Sequence, residues 1–395
     1  MNAISIKNLD VVFGNSPKKA LALLDQGLTR QQIIDQTSQV VGVDNVSMEI
    51  QEGEICVLMG LSGSGKSSLL RAVNGLNTIS RGALEIKDGD HNVDLANCDE
   101  NTLRSLRTNR VSMVFQKFAL MPWLTVLDNV AFGLDMLGIA KAERRERARK
   151  QLEMVGLAEW ESKFPHELSG GMQQRVGLAR AFAMDTDILL MDEPFSALDP
   201  LIRAQLQDEL LDLQAKLNKT ILFVSHDLDE ALKIGNNIAI MESGKLIQHG
   251  KPEEIVLTPK TEYVKDFVAH TNPLNVLKGR SLMQPIHQLK EQDARLCICE
   301  NHDIWVAPSS DNLEVFSQAP LELVHWNNTN LALENINASM LIVASPDIDM
   351  REAIELKHRS EHPVLLMENN QLVGVLNDGE FYNALLGNYQ TPTAA

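Results

Sequence analysis

Short apolar runs and longer amphipathic stretches take turns along the first two thirds of this chain, the rhythm of an α/β protein. Residues 54–59 (Glu-Ile-Cys-Val-Leu-Met), 188–193 (Ile-Leu-Leu-Met-Asp-Glu) and 220–224 (Thr-Ile-Leu-Phe-Val) have strand length, and the second reads as a buried parallel strand. Residues 67–74, 124–137, 143–155 and 174–183 carry helical periodicity. Residues 16–36 hold two further helical patterns broken at Gly27, with Thr29 placed to cap the second; a strand pattern resumes at Val43–Ile50. Asn272-Pro273 and Lys278-Gly-Arg280 mark a linker over 271–279. Beyond it, 341–343, 350–357, 363–367, 372–376 and 380–386 read as strand, helix, strand, strand and helix, with a turn at Asn369-Asn370. The expectation is an α/β domain over 1–270 and a small α+β domain over 280–395.

Chemistry enters at the end of the first run. Gly60-Leu-Ser-Gly-Ser-Gly-Lys-Ser-Ser68 follows a strand and opens a helix, the setting of a phosphate-binding loop. Such a turn aims backbone N–H groups and the positive end of a helix dipole at one point, which suits a polyphosphate. Gly60, Gly63 and Gly65 let the backbone wrap the anion, Lys66 reaches the β- and γ-phosphates, and the Ser67 hydroxyl takes a Mg²⁺ position. Asp192 and Glu193 end a strand at the edge where open α/β sheets bind ligands. There Asp192 would hold Mg²⁺ and Glu193 would orient and deprotonate a water. Leu168-Ser-Gly-Gly-Met-Gln173 heads another helix and forms a second anion-binding turn. One chain does not easily fold both turns around one γ-phosphate, whereas two copies in head-to-tail symmetry can.

These motifs stand in the order carried by ABC transporter ATPases, and over roughly residues 1–270 the chain resembles that family. Gln116 matches the Q-loop, residues 168–173 the signature, Asp192 and Glu193 Walker B, Ser196–Asp199 the D-loop and His226 the switch histidine. Met172 stands where Gln is commoner, Ser68 where many members have Thr, and Pro194 where some have Ala. The resemblance implies a P-loop NTPase fold of ABC type with a helical subdomain over about 118–183. It implies ATP and Mg²⁺ as ligands, the metal held by Ser67, Gln116 and Asp192, with Glu193, His226 and Gln116 catalytic. ATP would be bound by Phe13, Gly60, Ser62, Gly63, Ser64, Gly65, Lys66, Ser67 and Ser68, with Ser169, Gly170, Gly171 and Asp199 coming from the partner protomer of a homodimer. Phe13 fits the position that stacks on adenine, and the apolar segment 117–123 belongs to the groove that receives a permease. Most ABC ATPases cross from the first strand to the second in a short turn. The helical insertion over 15–42, with 60–65, 118–122 and 195–203, resembles the glycine betaine/proline betaine/choline importers. That group implies a transmembrane permease and a periplasmic or extracellular substrate-binding protein as further partners. Residues from 341 onward resemble a cystathionine-β-synthase (CBS) module. The preceding half matches poorly, so a degenerate pair with a regulatory or dimerising role is expected.

Composition narrows the classes. The formal charge of −17 and pI near 5.0 disfavour nucleic acid and direct adhesion to anionic lipid. Over half of that charge lies in residues 276–395, with 7 Lys/Arg against 16 Asp/Glu. No run of 18 apolar residues or secretory signal is visible, and Cys56, Cys98, Cys297 and Cys299 form neither a disulfide framework nor a zinc pattern. A cytoplasmic protein, peripheral on the inner face of the cell membrane through a permease, follows as the expectation. The leading reading is the ATP-hydrolysing subunit of a quaternary-amine importer. An importer ATPase for another small solute, such as an amino acid, and a soluble ABC ATPase acting on nucleic acid or ribosomes stay open. The order of signature, Walker B and histidine excludes kinases and GTPases.

Overall fold

The first strand pattern runs longer than the alternation suggests: β1 (Asn2–Phe13) leads into α1 (Pro17–Asp25) and α2 (Arg30–Thr37) and returns as β2 (Val40–Gln51). β2 begins three residues before the expected Val43, because Val40 and Val41 pair with Phe13 and Val12 at the far end of β1. Then come β3 (Ile55–Met59), α3 (Lys66–Val73), β4 (Arg81–Asp88), β5 (His91–Asp94), α4 (Glu100–Asn109) and β6 (Val111–Val114). Three helices follow, α5 (Val126–Met136), α6 (Lys141–Met154) and α7 (Gly170–Ala183). After β7 (Ile188–Asp192) the order is α8 (Pro200–Leu217), β8 (Thr220–Val224), α9 (Leu228–Ile234), β9 (Asn237–Glu242) and β10 (Lys245–Gly250), then α10 (Pro252–Leu257) and α11 (Glu262–Val268). This computed structural model describes residues 1–269, 276–300, 302–308, 313–326 and 332–385. It divides into two compact units, Met1–Ile255 with Lys260–Val264, and Val256–Pro259 with Lys265–Ala395.

In the first unit β10-β9-β3-β8-β7-β6 form one sheet, parallel except for β10 on its edge. β3, β7 and β8 are buried at every position, as expected of parallel strands covered on both faces. The strands β3, β8, β7 and β6 are adjacent and point the same way. Their carboxyl ends therefore deliver the 60–68 loop, His226, the Asp192–Glu193 pair and Gln116 to one edge of the sheet. A second, antiparallel sheet, β2-β1-β4-β5, shares its core with the first through Ile4, Ile6, Val46, Leu58 and Leu69. Along α6, Arg144, Arg145, Arg147, Arg149 and Lys150 each pair with a carboxylate.

The insertion has its own small core of Val12, Ala20, Leu21, Ile33 and Val41. Thr29 caps α2 as the spacing predicts, in a reciprocal capping box with Gln32. Arg81 ties the insertion to the sheet, reaching buried Asp10 at 2.6 Å and Asp25 of α1 at 2.8 Å. Replacing Arg81 with Ala leaves the Asp10 carboxylate without its cation and should lower stability by about 2 kcal/mol. A urea midpoint unchanged from wild type would contradict this.

The second unit contains α12 (Gly279–Leu282), β11 (Gln284–Pro285), β12 (Glu291–Gln292), β13 (Arg295–Cys299), β14 (Ile304–Pro308), β15 (Leu313–Phe316) and β16 (Glu322–His325). β17 (Met340–Ala344), α13 (Met350–Ser360), β18 (Val364–Glu368), β19 (Gln371–Leu376) and α14 (Asp378–Leu385) follow in the order read from sequence. Leu386 of the last predicted helix lies outside the described residues. Asn369 and Asn370, at φ of 50° and 60°, make the tight turn between β18 and β19. The preceding half differs from a module of that kind. β12–β15 form an antiparallel meander with no helix between the strands among the described residues. Its first turn is a two-residue reversal, with Asp293 and Ala294 at φ of 52° and 60°, which leaves no room for a helical crossover between β12 and β13. On β13 Cys297 is buried and Cys299 is partly exposed. Asn272-Pro273 lie outside the described residues, but Leu277 is buried in the second core and Lys278 bridges Asp349, so residues 277–279 are packed chain.

Candidate nucleotide site

The phosphate loop is shaped by its glycines. Gly60, Gly63 and Gly65 adopt φ of 139°, 78° and 104°, which side-chain-bearing residues resist. A Cβ on Gly60 would meet the Met241 carbonyl at 2.1 Å, and one on Gly65 the Gly42 carbonyl at 2.4 Å. The loop feeds α3, whose first residue is Lys66. The Lys66 ammonium donates to the Gly60 and Leu61 carbonyls at 2.7 and 3.0 Å and lies near Ser64 Oγ at 3.4 Å. Burial pulls its pKa below the usual lysine range, opposed by the charges of Glu193 and Asp192.

Facing the loop are the two acids at the end of β7. Ser67 Oγ donates to Asp192 Oδ1 at 2.8 Å. Two oxygen donors at one point are what a hard divalent cation such as Mg²⁺ takes, so the residues fit that ion. Asp192 is fully buried and is balanced by Arg71, whose Nη2 reaches its other oxygen at 3.2 Å. Glu193 Oε2 lies 3.3 Å from Gln116 Nε2 and 3.3 Å from His226 Nδ1. Its backbone is held at φ 51°, an unfavourable value for a non-glycine residue. Bonds from Gln174 Nε2 and Ser196 Oγ to the Glu193 carbonyl, at 3.2 and 3.1 Å, hold the chain there. Beneath His226, Ser225 Oγ and Gln207 Nε2 donate to buried Glu230, whose carboxyl burial pushes above the usual range. Gln116, Ser67, Asp192, Glu193 and His226 thus form one connected constellation.

Phe13 closes β1 and is partly exposed. A Cβ on Gly42 would come within 2.5 Å of the Phe13 ring and 3.1 Å of Ser68 Oγ, so ring, bare backbone and Ser68 are neighbours. Ser62 belongs to the open crest of the loop. The remaining predicted residues stand apart from this group within the chain. Ser169 caps α7 by accepting from Met172 N, and Asp199 caps α8 by accepting from Ile202 N. Gly170 has open space where a Cβ would stand.

Three contributors escaped the sequence reading. Arg71 sits one turn beyond Ser67 on the same helix face, a spacing that could have flagged it. Gln174 on α7 joins the Glu193 carbonyl to the Ala197 N–H, at 3.2 and 3.3 Å, and so links signature helix, acid and D-loop. Arg180 on the same helix donates to the Phe118 and Ala119 carbonyls at 2.8 and 2.6 Å. It pins the segment after Gln116, where Phe118 and Ala119 adopt φ near 50°. Nothing in the local pattern signals either contact.

The chain is similar to known proteins along most of its length. The family model described as ABC transporter matches residues 43–196. The chain is 53% identical over 279 residues to the glycine betaine/proline betaine transport system ATP-binding protein ProV of Escherichia coli K12, covering 71% of this chain and 69% of that protein. It is 39% identical over 394 residues to the glycine betaine transport ATP-binding protein OpuAA of Bacillus subtilis 168, covering 98% and 93%. A dimeric post-hydrolysis state of the ATP-binding cassette MJ0796, bound to ADP and Pi, superposes with a TM-score of 0.55 at 30% identity, over 63% of this chain and 98% of that one.

Proposed function

Because the chain belongs to the ATP-binding subunits of ABC transporters, in the group that includes the glycine betaine, proline betaine and choline systems, we propose that it hydrolyses ATP to energise import of a quaternary amine or related osmolyte. The observation that carries the catalytic part is the meeting of Ser67, Asp192, Glu193, Gln116 and His226 at the carboxyl ends of adjacent strands. Lys66 and the loop N–H groups receive the β- and γ-phosphates, and Phe13 stacks on the adenine. Ser67, Asp192 and Gln116 would hold Mg²⁺, which when bound would offset the charge of the transferring phosphoryl group. Glu193 accepts a proton from water as it attacks the γ-phosphorus. The bond to the bridging oxygen breaks, and ADP and phosphate leave. Gln116 and His226, each 3.3 Å from Glu193, orient that water and steady the γ-phosphate.

Two protomers in head-to-tail symmetry share the work, Ser169, Gly170, Gly171 and Asp199 of the partner subunit completing each pocket; the dimeric state of MJ0796 supports this arrangement. No described helix is long and apolar enough to cross a membrane, so passage of the solute falls to a permease. A groove of about 450 Å³ beside Gln116, lined by Met113, Phe115, Ala119, Met121, Phe132 and Met184, supports docking of a permease segment. Trp123 stands 71% exposed nearby in sequence. A substrate-binding protein delivers the solute from outside.

The test is reconstitution with a permease and binding protein, followed by ATP-driven uptake of labelled glycine betaine, choline or carnitine. Uptake of amino acids instead, with no quaternary amine carried, would reject the substrate class. In the same system Phe132→Asp should cut uptake by about tenfold or more while the free subunit keeps its basal ATPase, since one buried charge outweighs the apolar contact it replaces. Unaltered uptake would place the permease contact elsewhere.

A further inference from the structure

The insertion does more than decorate the edge of the sheet. Arg30 opens α2, and its Nη1 donates to the Gly63 carbonyl of the phosphate loop at 3.1 Å. The Gly63 carbonyl and the Ser64 N–H belong to one planar peptide unit. Arg30 holds one edge of that unit, while the other closes the loop's turn onto the Leu61 carbonyl at 3.1 Å. Gly63 itself has φ 78° and nothing within 4 Å of where a side chain would stand. Three glycines in six residues leave such a loop with much conformational entropy to lose on binding.

Arg30 is well placed to reduce that loss. Its backbone is held by the Thr29–Gln32 capping box on one side and by fully buried Ile33 on the other. The guanidinium is half-buried, which lowers its pKa against the opposing charge of Asp44. Asp44 is itself engaged by Lys245 at 3.5 Å. The insertion therefore brings a second cation, besides Lys66, to the loop that receives a polyphosphate.

We propose that Arg30 is a positioning residue of the nucleotide site, and that the 15–42 insertion is a strap which pre-orders the Gly63–Ser64 peptide for the triphosphate. This rests on the ATP-binding reading above. The strap acts on ground-state binding of nucleotide, leaving the proton transfer at Glu193 unaffected.

The experiment compares wild type, Arg30→Ala, Arg30→Gln and Arg30→Lys in the full chain. The readouts are steady-state ATPase, binding of a fluorescent ATP analogue, and the rise in melting temperature on adding MgATP. Arg30→Ala and Arg30→Gln should weaken analogue binding and raise KM for ATP about tenfold, the size expected for one charge-assisted bond, with kcat changed by less than about twofold. The ligand-free melting temperature should stay as in wild type, and Arg30→Lys should restore most of the affinity. Wild-type affinity in both neutral variants would overturn the proposal. So would a fall in kcat at unchanged affinity, which would assign Arg30 to chemistry or to the protomer contact. If wild type itself shows no MgATP-induced rise, the ATP-binding reading fails instead, and the comparison separates the two.

Discussion

Glu193→Gln should lower steady-state ATP turnover by roughly 10²–10⁴-fold, the usual contribution of a positioned general base. Glu193 Oε2 is shared between Gln116 and His226 at 3.3 Å each, so the carboxylate is aimed at the spot those two side chains frame. A carboxamide keeps the size and can still hydrogen-bond, but it cannot take the proton of the attacking water. Nucleotide affinity should therefore survive, because the loop, Lys66 and the Ser67–Asp192 pair are untouched. ATP-bound dimers should accumulate, visible by size-exclusion chromatography as an ATP-dependent shift to twice the mass. Turnover within about threefold of wild type would remove Glu193 as the base. Asp192, already committed to Ser67 and Arg71, offers no free replacement.

The second large effect concerns the division of each pocket between protomers. Lys66→Ala and Ser169→Arg should each abolish turnover, by on the order of a hundredfold or more, when every subunit carries the lesion. Co-expressed under different tags and purified as the mixed dimer, the two variants should recover about half of wild-type activity. One pocket then combines an intact Lys66 with an intact Ser169. The control places both lesions on one chain and pairs it with wild type, which leaves no intact pocket and should stay inactive. Pockets built within single chains would give the reverse pattern, with activity in the control and none in the mixed dimer. The basis for expecting the shared arrangement is that Ser169 and Asp199 each cap their own helix without bonding to residues 60–68.

Much of the candidate site was legible along the chain because its members end strands or begin helices. Backbone demands at such points restrict the residue types, so a strand followed by Gly60–Ser68, or by Asp192–Glu193, announces itself locally. The cap at Thr29 and the turn at Asn369-Asn370 were readable for the same reason. Contacts made by the middles of helices carried no such mark. Gln174 and Arg180 lie within α7 and look from the sequence like ordinary helix-surface residues, yet they bind the Glu193, Phe118 and Ala119 carbonyls. The meander at β12–β15 was obscure because its strands are short and its first turn contains no glycine.

By itself, then, the order of residues determined the α/β class, the phosphate loop and the two acids through local conformational rules and strand-length apolar runs, and it marked the histidine only through the family order of motifs. Only the tertiary structure decided that β3, β8, β7 and β6 are neighbours, so that residues 60–68, 226, 192–193 and 116 share one edge. It alone brought Arg30 of the insertion onto Gly63, a meeting across 33 residues of chain. Strand order and such long-range contacts depend on how the apolar faces of separate elements are buried together. That is a property of the packed whole, and no window of sequence contains it.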